Sequence, residues 1–103
     1  MAYKIVFNAS FYSNLNRALN YISNDLENPS AANKIMSKLT DVVSLLQENP
    51  MLYPLYHNKK LAKQGFRYTV ISKYLLFYKV HEEDQTVELS RFIFGNRNIP
   101  DMF

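Results

Sequence analysis

The chain has 103 residues, enough for one domain with a single core and little stability to spare. Hydrophobic residues make up 48% and aromatic residues 15%, which excludes an intrinsically disordered chain; the absence of cysteine excludes disulfides, thiolate metal sites and a Cys nucleophile. The formal charge of +3 and a pI near 9.2 favour an anionic partner, nucleic acid or acidic protein, but only weakly.

The first residues enter a strand at once, with Tyr3, Ile5 and Phe7 alternating with Lys4 and Val6. Neither this stretch nor any later one has the length and purity of a signal peptide or a membrane span, so the expected location is cytoplasmic. The period then changes. Phe11, Leu15, Ala18, Leu19, Ile22 and Leu26 recur at helical spacing, with Asn8 or Ser10 as the cap and Asn28-Pro29 as the stop. A second helix carries Ile35, Met36, Leu39, Val42, Val43 and Leu46, with Ser30 as its expected cap and Asn49-Pro50 as its end. The short connection makes the pair an antiparallel hairpin.

Residues 50–65 read as irregular, broken by Pro50 and Pro54 and closed by Gly65. Three strand signals follow. Phe66, Tyr68 and Val70 alternate with Arg67 and Thr69; Ser72-Lys73 is a tight turn; Tyr74 to Val80 is nearly all apolar, as a central strand covered on both faces requires. Glu82 to Gln85 is a polar turn, and Val87 to Phe94 is the last strand. The order predicts an α+β fold: an N-terminal strand, a two-helix antiparallel hairpin, then a three-stranded antiparallel meander, forming two layers in one domain over residues 1–103.

The same order and residue patterns resemble the RelE/ParE superfamily of toxins. Tyr3-Lys4-Ile5-Val6-Phe7 is similar to its first strand, and Ala18-Leu19-Asn20-Tyr21-Ile22 to its first helix. Ala31-Ala32 and Leu45-Leu46-Gln47-Glu48-Asn49-Pro50 resemble its second helix. Gly65-Phe66-Arg67 with Tyr74 to Val80 resembles the central hairpin, and Val87 through Gly95-Asn96-Arg97 the last strand and its exit. The resemblance implies the toxin of a type II toxin–antitoxin pair. Its partner would be a cognate antitoxin that folds on binding, in a toxin–antitoxin heterotetramer or beside a toxin homodimer. It implies one of two targets: DNA gyrase for ParE-like members, or mRNA in the ribosome for RelE-like members, which are endoribonucleases needing no metal.

Cleavage through the 2′-hydroxyl needs a base, cations for the phosphorane and an acid for the leaving oxygen. By resemblance, Arg67 and Arg97 fall on basic positions of the RelE pattern. Thr69 and Leu75 replace further cations, and Phe103 stands near the tyrosine of that pattern but has no proton to give. This departure and the pair Phe77-Tyr78 followed by Arg91 are more ParE-like, so gyrase is the expected target and mRNA the alternative. A non-toxic nucleic-acid or protein-binding module is the third reading.

Each candidate also has a plain structural role. Arg67 is either catalytic or a strand residue that is solvated or paired with a carboxylate such as Glu88. Arg91 among apolar neighbours is either a target contact or half of a buried ion pair. His57 is a general base or an unpartnered loop residue. Lys59, Lys60 and Lys63 contact phosphates or form a solvated surface. His81 reads as surface at a polar turn. No metal constellation and no Gly-rich phosphate loop is present, and no cofactor is expected.

Overall fold

In a computed structural model, residues 2–95 and 98–103 are described. The element order is β1 (Lys4–Phe7), α1 (Ala9–Asn20), α2 (Pro29–Glu48), α3 (Lys59–Lys63), β2 (Arg67–Ile71), β3 (Tyr74–His81) and β4 (Thr86–Phe94), closed by a 3₁₀ turn at Ile99–Met102. The strands form one sheet in the order β1-β4-β3-β2. The meander is antiparallel as expected, and β1 lies parallel to β4. The helical segment carries the chain from β1 to β2 at the opposite edge of the sheet, and the meander then brings β4 back beside β1.

Local chemistry explains the boundaries. Asn8 caps α1, its Oδ1 accepting from the Ser10 N–H at 2.8 Å. The last turn of this helical segment loosens into a π-helical turn at Tyr21–Asp25, before Glu27 adopts φ 50°. The second helix is capped by Asn28 rather than Ser30: Asn28 Oδ1 accepts from Ala31 N–H at 3.1 Å. Pro29 then occupies the first helical position, where its missing N–H costs nothing. The region read as irregular contains α3, capped by Asn58, whose Oδ1 accepts from Leu61 N–H at 3.1 Å. Gly65 ends that turn at φ +91°, a conformation an L side chain adopts only with strain.

The helices cover one face of the sheet. Phe11, Leu15, Ile35, Leu39 and Leu46 meet Leu76, Tyr78, Val87, Leu89 and Phe92 there. The opposite face is partly covered by the segment before β2 and by the C-terminal tail: Tyr56, Leu61, Phe66 and Ile99 pack on Phe77 and Ile93. The middle of β3 is therefore buried from both sides, with Leu76, Phe77 and Tyr78 all fully enclosed. Side chains opposite each other on neighbouring strands share a face. Phe77 faces Arg91 while Tyr78 faces Leu89, so Ser90 is an extra residue on β4. This bulge inverts the alternation: Leu89 and Phe92 both point to the helices, and Arg91 and Ile93 point away.

Candidate functional site

The face of the sheet turned away from the helices gathers most of the chemistry. At its centre the rings of Phe66, Phe77 and Phe103 meet edge to face, with centroids 4.7 Å apart for Phe66 and Phe103 and 4.9 Å for Phe77 and Phe103. Two cations stand on this cluster. Lys79 Nζ lies 5.0 Å from the Phe66 centroid, and the Arg91 guanidinium lies 5.2 Å from that of Phe103. The α3 helix anchors Leu61 in the same cluster and leaves Lys59, Lys60 and Lys63 exposed.

The structure divides the sequence candidates. Arg91 and Phe103 come together, and the three lysines of α3 share their side of the sheet. Among the described residues Arg91 has no ion-pair partner; its Nη1 donates to the Ser90 carbonyl at 2.8 Å. Arg67 points the other way, because it is opposite Tyr78 on the helix side. Its Nη1 donates to the Tyr53 carbonyl at 2.7 Å, so it holds the segment after α2 and is not paired with Glu88. His57 is exposed, and its ring lies against that of Tyr56 with centroids 4.2 Å apart. Arg97 lies outside the described residues. Among the described residues, no group of three or more His, Cys, Asp or Glu side chains is placed to hold a metal ion.

One polar cluster escaped the sequence reading. His81 is not a solitary surface residue: its Nε2 lies 2.8 Å from Glu88 Oε1. Asn8 Nδ2 donates to the other carboxylate oxygen at 2.9 Å. A carboxylate thus joins the α1 cap, β3 and β4. The Asn8 and His81 hydrogen bonds hold the Glu88 carboxyl below its usual range. A depressed folded-state pKa stabilises the fold above the unfolded value, near 4.5, and that contribution is lost as pH falls through the folded value. The Glu88→Gln variant should therefore lose less stability on acidification than the parent. Urea midpoints at about pH 7 and about pH 3.5 test this, and equal losses for the two proteins would refute it. The pairing left a faint sequence signal: a seven-residue separation across a four-residue polar turn places His81 and Glu88 near each other only once the hairpin register is known.

A second feature is a groove of about 360 Å³ between α1 and the ends of β3 and β4. Tyr21, Tyr74, Phe92, Phe94 and Met102 line it, with Arg17 and Asn14 at its polar side. Asn14 Oδ1 accepts from the Phe92 N–H at 3.1 Å, which fixes α1 against β4 just after the bulge.

Compared with known families, the sequence matches over residues 5–99 a model described as the ParE toxin of the type II toxin–antitoxin system parDE. The chain belongs to this family. The toxin shares its fold with solved structures of low sequence identity. A chain of the toxin–antitoxin complex RelBE2 from Mycobacterium tuberculosis superposes with a TM-score of 0.63 at 16% identity, covering 91% of this chain and 99% of that one. A chain of the chromosomal ParDE toxin–antitoxin system from P. aeruginosa gives 0.68 at 13% identity, covering 90% and 96%. A search of curated protein sequences gives no match. The toxin's helices and four-stranded sheet thus share their fold with chains from both a RelBE2 and a ParDE complex, and a fold by itself does not set a target. None of its helices, among the described residues, is long and apolar enough to cross a membrane.

Proposed function

We propose that this toxin arrests growth through DNA gyrase and does not cut RNA. The observation that supports this is that Arg67, the catalytic candidate among the described residues, faces the helix side and is bonded to the Tyr53 carbonyl. Cleavage by the 2′-hydroxyl route needs base, cation and acid converging on one phosphate. Here Arg67 serves the helix side, Arg91 the other, and the Phe103 ring beside Arg91 has no proton to transfer. A cognate antitoxin would neutralise the toxin. Its chemistry fits an amphipathic segment seated in the groove of Tyr21, Phe92, Phe94 and Met102, with an acidic residue towards Arg17.

A second reading, ribosome-dependent mRNA cleavage, has one observation in its favour. The His81–Glu88 pair is an imidazole oriented by a carboxylate, on the same face as Lys79 and Arg91. The two readings separate in parallel assays of gyrase supercoiling and of translation on a defined mRNA. Lost supercoiling or trapped DNA cleavage with intact mRNA is the expected result. Codon-phased cuts in the mRNA, abolished by His81→Ala, with unimpaired gyrase would replace it with the second reading.

A further inference from the structure

The positive charge of this protein is not spread over its surface. Lys59, Lys60 and Lys63 on α3, Lys79 on β3 and Arg91 on β4 all belong to the face away from the helices. The other seven cations of the chain are outnumbered by its nine carboxylates. This face thus carries five of the chain's twelve Lys and Arg residues. The carboxylates carried by β4 and by the C-terminal turn are already engaged. Glu88 is held by Asn8 and His81, and Asp101 accepts from Asn98 at 2.7 Å. Among the described residues the only side-chain ion pair is His81 with Glu88; Lys79 stands opposite Glu88 and feels its carboxylate electrostatically, while Lys59, Lys60, Lys63 and Arg91 have no carboxylate within ion-pair distance.

Two of the five are also fixed in place. Lys79 and Arg91 stand on the adjoining rings of Phe66 and Phe103, and Lys79 Cε lies 4.0 Å from where a side chain at Gly65 would begin. Such anchoring lowers the entropy lost when a cation meets an anion.

We infer that this face, Lys59, Lys60, Lys63, Lys79 and Arg91, is a docking surface for the phosphodiester backbone of duplex DNA. Three features select that occupant. A group of cations on one face, four of them with no carboxylate in ion-pair reach among the described residues, matches a regularly charged polyanion, whose condensed counterions are released on binding. An acidic protein segment that folds on binding also needs an apolar seat, and the groove that offers one lies elsewhere, between α1 and the strand ends. Unpaired bases would need free aromatic faces, and Phe66 is buried while Phe103 carries Arg91. A paired backbone needs only the cations. This contact is independent of the gyrase reading, since direct binding to DNA is measured without gyrase.

The test is fluorescence anisotropy of the purified full chain with a labelled DNA duplex of about 20 base pairs, chosen to span several phosphates on each strand. Affinity should fall roughly a hundredfold between 50 and 200 mM salt, as neutralisation of about four phosphates requires. The triple variant Lys59→Gln, Lys60→Gln, Lys63→Gln should bind at least about tenfold more weakly, with the salt slope reduced by about 3. Its three side chains are exposed, so folding should be unaffected, and circular dichroism checks that. The control Lys34→Gln, Lys38→Gln, on exposed positions of α2, should bind like the parent. Absence of binding at 50 mM salt, equal loss in control and triple variant, or tighter binding of a polyglutamate peptide or a single-stranded oligonucleotide than of the duplex would each overturn the proposal.

Discussion

Tyr78→Ala should destabilise the protein by about 3–5 kcal/mol, enough to unfold much of it at physiological temperature given the ~5–15 kcal/mol that holds a domain together. Tyr78 is completely enclosed on the helix side of β3, with its ring edge-on to Tyr53 at a centroid distance of 6.4 Å. Its hydroxyl donates to the Pro50 carbonyl at 3.0 Å and accepts from the Tyr53 N–H at 3.3 Å. Burial pushes this hydroxyl above the ordinary phenol range, so it stays a neutral donor across the working pH. One side chain thus fills the core and ties down the chain just after α2, where no regular element supplies partners. The two roles separate by mutation. Tyr78→Phe keeps the ring and strands the Pro50 carbonyl and Tyr53 amide, so its cost should be about 1–3 kcal/mol. Arg67 holds the same segment through the Tyr53 carbonyl, so a cycle of Tyr78→Phe with Arg67→Ala should be non-additive. Thermal or urea unfolding of the four proteins decides this. Strict additivity would mean that the two bonds do not act on a common segment.

Phe77→Ala should cost a similar ~3–5 kcal/mol, but from the other side of the sheet. Phe77 is fully buried and holds Tyr56 at 5.0 Å, Tyr68 at 6.3 Å and Phe103 at 4.9 Å between centroids. The cover on this face is made of short pieces: α3, the loop before β2 and the C-terminal 3₁₀ turn. None of these is long enough to be stable alone, so their order depends on the rings beneath them. The variant should therefore lose amide-exchange protection in α3 and around Phe66 well before α1 and α2 do. Uniform loss of protection across both faces would show one cooperative unit and no separable cover. Because Phe103 carries Arg91, the same variant should also weaken duplex binding without changing any charge.

Much of the architecture could be read in the residues. The helical stripes of Phe11 to Ile22 and Ile35 to Leu46, the prolines that end them and the wholly apolar run in β3 record burial directly, since periodicity is set by which face meets the core. The resemblance to RelE/ParE toxins rested on the same spacings and is upheld by the family match over residues 5–99. The α3 helix leaves no periodic signal because five residues are too few; its one mark in the sequence is Asn58 standing before Lys59 as a cap. The Asn28-Pro29 pair reads as the end of the first helix and Ser30 as the cap of the second, yet Asn28 is the cap, because proline suits the first position of a helix.

The candidate site was legible only in pieces. Lys59, Lys60, Lys63, Arg91 and Phe103 were visible as residue types, and Lys79 and the His81–Glu88 pair were not. The order of elements, the two amphipathic helices and the doubly buried central strand follow from patterns within a few turns of chain, and the excess of positive charge from composition alone. Only the tertiary structure decided which cations share a surface. Strand pairing brings residues 66, 79, 91 and 103 together across long separations, and the single extra residue at Ser90 turns Arg91 to the face opposite Arg67. A one-residue shift in a strand reverses every side chain beyond it, and no local pattern in the sequence records where that shift occurs.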